Sequence, residues 1–192
     1  MMGGLAYLSG LPGKPIRAGA SVNDIMGAMF GVIAIFAALQ ERVVMGFGQE
    51  VTSGLYETNA FLVAQSIATE ALSGKPARPW SETPRPWPVY DLFLTSDDHQ
   101  VFIGVVSDGQ WQSLCRAFGR DDWANDDRFR TNADRVRHRD EIRAAFSELV
   151  RAIPLSECAS RLKRIGLPFA PVQRPFELLD DRISKPPTVS WA

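Results

Sequence analysis

The stretch Arg17-Ala18-Gly19-Ala20-Ser21-Val22-Asn23-Asp24 leads into a run, residues 25–39, with no charged and no polar side chain. Gly27, Ala28, Gly31, Ala34, Ala37 and Ala38 keep the surface of that run thin, and Gln40, Glu41 and Arg42 end it. A helix that is apolar all round is either buried in protein or spans a membrane. Fifteen residues fall short of the roughly 20 that a bilayer requires. The run therefore predicts a helix over about 24–44, buried inside an α/β domain.

Asp24 then lies in or beside the first helical turn, where unpaired backbone N–H groups and the positive end of the macrodipole favour a carboxylate. Two readings fit that position. Asn23 or Asp24 is an N-cap, a contribution of about 1 kcal/mol to the helix. Alternatively, a carboxylate held ionised at the edge of an apolar core serves as a nucleophile or a base. Local chemistry leaves both open.

Around this centre, residues 3–22 read as loop, because Gly3, Gly4, Gly10, Pro12, Gly13, Pro15 and Gly19 interrupt any regular pattern. Gly10-Leu11-Pro12-Gly13 lacks the Gly-Lys-Ser/Thr ending of a phosphate cradle and reads as a turn. Gly46 and Gly48 mark the turn after the helix, residues 50–53 are a short strand candidate, and a second helix spans about 55–72. Its apolar face would carry Leu55, Phe61, Leu62, Ala64, Gln65 and Ala68, and Gly74 would stop it. Gly27 and Gly31, one turn apart, predict close approach of another element to the first helix.

Residues 75–88 hold five prolines, Pro76, Pro79, Pro84, Pro86 and Pro88, and read as a linker. Trp80 and Trp87 within it would dock either on a partner or on their own domain. Beyond it Tyr90, Leu92 and Leu94 alternate with Asp91, Phe93 and Thr95. Asp97-Asp98 makes a turn, and residues 101–106 form a buried return strand. Trp111, Leu114, Cys115 and Phe118 share one face of a helix over 108–118. Ile142, Phe146, Leu149, Val150 and Ile153 share a face of another over 137–153, introduced by residues 131–135. Ser156 would cap a further helix carrying Ala159, Leu162 and Ile165. Residues 169–172 would return as an edge strand because Pro168 and Pro171 exclude a central one. Residues 176–179 are a last helical turn.

A chain of 192 residues allows one domain or two small ones. A net charge of −1 gives no electrostatic footing for nucleic acid or a membrane surface. Cys115 and Cys158 have no C-x-x-C partner and read as buried, reduced thiols, which suits a cytoplasmic protein, as does the lack of a signal peptide. His99 and His138 lack ligand-spaced partners, so no metal is expected. Ser107-Asp108-Gly109 follows a strand but does not fit the nucleophile elbow. Arg128, Arg130, Arg135, Arg137, Arg139 and Arg143 interleave with Asp126, Asp127, Asp134, Asp140 and Glu141, a pattern that predicts a solvated face laced with ion pairs.

Several ordered motifs carry a resemblance. Met2-Gly3-Gly4-Leu5-Ala6-Tyr7, the stretch 17–27, Gly46-Phe47-Gly48-Gln49-Glu50-Val51, Val89-Tyr90-Asp91-Leu92-Phe93, Ser107-Asp108-Gly109-Gln110-Trp111, Asp127-Arg128-Phe129-Arg130-Thr131-Asn132 and Gly166-Leu167-Pro168-Phe169-Ala170-Pro171-Val172 together resemble family III CoA-transferases. That family includes formyl-CoA transferase, the carnitine CoA-transferases and alpha-methylacyl-CoA racemase. The resemblance implies that Asp24 is the catalytic residue. It implies residues 1–74 as part of a divided nucleotide-binding domain, 75–88 as linker, 89–180 as a small α+β domain, and 181–192 as an atypical tail. Members of the family are about twice this long, so the chain reads as the middle of an enzyme, a fragment inactive alone.

The chemistry implied is transfer of CoA between an acyl-CoA and a carboxylic acid acceptor through an aspartyl-CoA intermediate, in an interlocked homodimer. Coenzyme A is then a substrate, with no permanently bound cofactor and no metal. The family's racemases place a Glu near the position of Ser107, where this chain has none, which favours the transferase over the racemase. A truncated, non-catalytic product is the third reading.

Overall fold

The apolar run does form one continuous helix, but most of its surface is open within this chain. A computed structural model describes residues 3–83 and 85–179, and the tail 181–192 lies outside the described residues. The chain divides into two units, Met1–Pro84 and Arg85–Ala192.

In the first unit α1 (Leu5–Ser9), α2 (Val22–Met45) and α3 (Leu55–Ser73) are the regular elements among the described residues. The expected strand over 50–53 is absent; those residues have no regular structure. Residues 3–22, expected to be loop throughout, contain α1, which Gly4 starts at φ 84°. Gly10-Leu11-Pro12-Gly13 is a turn as expected: Leu11 N–H donates to the Lys14 carbonyl at 3.1 Å and Lys14 N–H to the Leu11 carbonyl at 2.9 Å.

Ser21 takes the N-cap position of α2, and Gly46 ends it at φ 81°, in the left-handed region that glycine enters without cost. The expectation that α2 is buried is corrected: Gly27 is its one buried residue. Phe36 is 68% exposed and Val43 80%. Both charge-bearing ends included, α2 is also long and apolar enough to cross a membrane by length and composition. The expected inward face of α3 is corrected as well. Thr58, Asn59 and Val63 are buried, whereas Phe61 points outward to meet the Phe30 ring edge-on, with centroids 5.3 Å apart.

The proline-rich stretch is not a free spacer. On its first side Trp80 N–H donates to the Leu8 carbonyl at 2.8 Å and Ser81 Oγ to the Gly10 carbonyl at 3.2 Å. On its second side the Asn132 amide donates to the Pro86 carbonyl at 3.0 Å, and the Trp87 ring packs on Tyr90 with centroids 5.1 Å apart. Each side is therefore tied into its own unit.

The second unit is built on a three-stranded antiparallel sheet in the order β1 (Tyr90–Leu94), β2 (Gln100–Gly104), β3 (Phe169–Pro171). Of the two alternating sets in β1, Phe93 and the following Thr95 are buried, while Leu92 is exposed. Proline-flanked β3 sits on the edge, where a missing N–H leaves no ladder bond unmade.

Helices α4 (Asp108–Ala117), α5 (Asp121–Ala124), α6 (Asn132–Arg137), α7 (Arg139–Arg151) and α8 (Leu155–Arg164) complete the unit. Trp111, Leu114, Cys115 and Phe118 are buried together with Ile142, Phe146 and Val150, so the 3.6-residue periodicity located this core correctly. Pro154, rather than Ser156, caps α8, whose buried residues are Cys158 and Leu162. Thr131 and Asp134 form a reciprocal capping box at the start of α6. Burial pushes the Cys115 thiol up to about 12 and the Cys158 thiol up to about 11, so both stay protonated and inert.

Most of the arginine-rich segment is a paired surface: Arg128–Asp126 at 2.8 Å, Arg137–Asp134 at 2.8 Å and Arg143–Asp91 at 3.1 Å. Arg135 departs from the expectation. It is buried at 2% exposure, donating to the Phe129 carbonyl at 2.9 Å, the Arg130 carbonyl at 3.1 Å and the Asp108 carboxylate.

Candidate functional site

The first turn of α2 opens into a cavity of about 230 Å³ in the first unit. Leu5 and Ala6 of α1 form one wall, and Leu55 and Asn59 of α3 form another. Arg17, Ala18 and Ala20 come from the segment before the helix, followed by Ser21, Val22, Asn23 and Asp24. The segment after α1 is held close to it. Ile16 N–H donates to the Ala6 carbonyl at 3.0 Å, and Gly10 is buried where a Cβ would lie 2.4 Å from the Lys14 carbonyl oxygen.

Asp24 is exposed into this space, and its carboxylate has no hydrogen-bond or ion-pair partner among the described residues. The capping reading of Asn23 and Asp24 is thereby corrected. Ser21 holds the N-cap position, Asp24 is the third residue of the helix, and no side chain caps the helix start. Ser21 contributes its carbonyl, to the Ile25 N–H at 3.0 Å. The backbone N–H groups of Val22, Asn23 and Asp24 are thus left uncapped by any side chain, beside the carboxylate.

Three further residues, Asn23, Asn59 and Arg17, share the cavity. The Oδ1 of Asn23 is buried with no partner. Asn59, itself buried, donates its amide to the Gly3 carbonyl and so ties the start of the chain to α3. Gly3 takes φ 101°, and a Cβ there would overlap the Asn59 amide, so the contact depends on glycine. Arg17 was legible only as the lone cation of its motif; nothing in the mixed face of α3 marked Asn59.

The other sequence candidates lie in the second unit. Ser107 caps α4 by accepting the Gln110 N–H at 3.3 Å, a structural role. His99 pairs with Asp97 and His138 with Glu141, each at 3.5 Å on the surface. Among the described residues no three His, Cys, Asp or Glu side chains are grouped to hold a metal ion.

The model of CoA-transferase family III matches residues 1–186. The chain is 31% identical over 182 residues to a succinyl-CoA:mesaconate CoA-transferase from Haloarcula marismortui, covering 94% of this chain and 45% of the relative. It is 33% identical over 148 residues to a succinate–glutarate CoA-transferase from Agrobacterium fabrum, covering 76% of this chain and 36% of the relative. A crystal structure of a CAIB/BAIF family protein from Brucella suis superposes with a TM-score of 0.75 at 28% identity, over 96% of this chain and 49% of that one. The chain thus spans about half the length, or less, of the relatives it matches. With the family model covering nearly its whole length, this chain belongs to CoA-transferase family III.

Proposed function

We propose that this chain carries the acyl-exchange centre of an enzyme that moves CoA from an acyl-CoA thioester to a carboxylic acid, with Asp24 as the nucleophile. The observation that carries the reading is an exposed, unpartnered carboxylate in the first turn of α2, facing a cavity beside uncapped backbone N–H groups.

In the exchange, an Asp24 oxygen attacks the thioester carbonyl, the C–S bond breaks, and CoA leaves as thiolate from a mixed anhydride. The thiolate then attacks the Asp24 carbonyl, expelling the first acid and leaving an aspartyl-CoA thioester. The acceptor carboxylate attacks that carbonyl, expels the thiolate again, and forms a second anhydride. Attack of the thiolate on the acceptor's carbonyl gives the new acyl-CoA and restores Asp24. No net proton or electron is needed, and each difficult exchange becomes two easier displacements. The free N–H groups of the first turn are oriented to stabilise the successive oxyanions.

Because the chain spans about 45% of the Haloarcula relative, the reading assigns binding of the CoA nucleotide to the remainder of the family fold. The two parts together are called the assembled enzyme below, whether joined in one polypeptide or supplied as two. The exposed apolar surface of α2 supports a helix covered by protein in an interlocked homodimer. A cytoplasmic site of action fits buried, reduced Cys115 and Cys158.

The test incubates the assembled enzyme with two different acyl-CoA and acid pairs while α-proton exchange is followed in parallel. CoA exchange without α-proton exchange supports the transferase. α-Proton exchange alone points to the racemase, and neither points to a non-catalytic chain.

A further inference from the structure

We infer that Arg17 selects dicarboxylates, by holding the distal carboxylate of the acid whose other carboxyl group reacts at Asp24. The inference rests on the transferase reading for which cavity the acid enters, and adds the substrate class. Arg17 and Asp24 are the charged side chains of a cavity whose remaining lining is neutral. The Arg17 guanidinium is exposed and has no hydrogen-bond or ion-pair partner among the described residues. Its backbone is fixed, since the adjacent Ile16 N–H donates to the Ala6 carbonyl at 3.0 Å and Ala6 itself lines the cavity. An unpaired guanidinium on a held backbone offers a planar fork that matches a carboxylate with two parallel hydrogen bonds.

The charge arithmetic points the same way. A dicarboxylic acid delivered as its acyl-CoA brings its free distal carboxylate beside the Asp24 carboxylate, like charge against like, and a nearby cation offsets that repulsion. A four- or five-carbon diacid spans roughly 4–5 Å between its carboxyl carbons, with a methylene linker suited to Leu5, Ala6 and Leu55. A cavity of about 230 Å³ admits such an acid. The anion at Arg17 is assigned to the acid because Arg17 shares that cavity with Asp24, where the acid reacts. The two curated relatives described above are named for succinate, mesaconate and glutarate, all diacids.

The experiment compares wild-type assembled enzyme with Arg17→Met and Arg17→Lys. The acceptors are succinate and glutarate against butyrate and valerate, their monocarboxylate counterparts. Acid binding is read by calorimetry without turnover, KM and kcat by exchange, and CoA affinity separately. Arg17 is exposed and unpartnered, so both variants are expected to melt like wild type. Arg17→Met should weaken dicarboxylate binding and raise its KM by about ten- to a hundredfold. Butyrate and CoA affinity should stay unchanged, and Arg17→Lys should fall between. A wild type that does not prefer diacids, an equal loss for both classes of acid, or a loss confined to CoA would each overturn the assignment. Failure of the nucleophile assignment would instead appear as undiminished exchange in Asp24→Ala, which leaves the acid-binding comparison intact.

Discussion

Ser53 donates its hydroxyl to the carbonyl of Gly27 at 2.7 Å, fastening the residues that precede α3 to the second turn of α2. The contact requires that α3 come close, and Gly27 is where it does: a Cβ there would lie 2.6 Å from Leu55 Cδ2. Asn59, one turn further along α3, lines the same cavity as Asp24, so the packing at Gly27 sets the shape of the site.

Gly27 and Gly31 are therefore not equivalent, although the sequence presents them as a pair. A Cβ at Gly31 would meet Ser53 Cβ at an ordinary 3.6 Å. Gly31→Ala should leave the melting temperature unchanged or raise it, since alanine gains about 0.5–1 kcal/mol over glycine in a helix. Gly27→Val should cost about 1 kcal/mol, the low end of overpacking, because the atom displaced is the end of the half-exposed Leu55 side chain. Thermal melts of the two variants check this, and equal stabilities would show that α2 and α3 are not in close contact.

Arg135 should prove the most sensitive charged residue of the second unit. Its guanidinium gathers two backbone carbonyls and the Asp108 carboxylate, with its carbon 5.3 Å above the Trp111 ring. Arg135→Lys removes the fork and leaves buried carbonyls unpaired, at about 1–3 kcal/mol. Urea unfolding followed by tryptophan fluorescence measures it. By the same measurement the exposed Arg130→Lys should be neutral.

Much of the second unit was legible because its helices are amphipathic at 3.6 spacing, as the burial of Trp111, Leu114, Cys115 and Phe118 shows. The edge strand and its prolines were legible for the same kind of reason, a local constraint. Arg135 was not, because its sequence neighbours are solvated arginines and only the tertiary position of Asp108 distinguishes it. In β1 both alternating sets contain large apolar residues, so the pattern alone did not choose between Phe93 and Leu92. The ends of α2 were readable, but its exposure was not, since burial depends on surfaces that no local pattern encodes. Asp24 was visible through its motif; the cavity that gives it meaning is made by Arg17, Leu5 and Asn59, from three separate segments.

Acid should loosen the turn between β1 and β2 through Asp97. The Thr95 hydroxyl, donating at 2.6 Å, chiefly holds the Asp97 carboxyl below its ordinary value, and the Leu155 N–H assists at 3.0 Å. A carboxyl depressed in the folded state binds fewer protons there than in the unfolded chain. Its contribution is present above the ordinary carboxylate range and is lost as pH falls through the depressed value. Asp97→Asn should therefore lower stability at neutral pH, and the difference from wild type should shrink as pH falls through the depressed value, which flattens the acid limb. An unchanged acid limb would show that Asp97 is not a linked group.

This chain expressed by itself should associate and show no CoA-transferase activity. Ile33, Phe36, Val43 and Val44 stand exposed along α2, apolar surface of the kind that drives association. Sizing chromatography of the isolated chain, with CoA titrated calorimetrically, is the check. A monodisperse monomer with micromolar CoA affinity would contradict the expectation.

The most direct test of the account is a trap for the covalent intermediate in the assembled enzyme. Wild-type protein is mixed with acyl-CoA, quenched in acid, digested and weighed by mass spectrometry, alongside Asp24→Ala and Asp24→Asn. The wild type should carry a CoA or acyl adduct on the peptide containing Asp24. Neither variant should carry an adduct or show exchange, with the fold and CoA binding intact. An adduct on another residue, or exchange that persists in Asp24→Ala, would contradict Asp24 as the nucleophile.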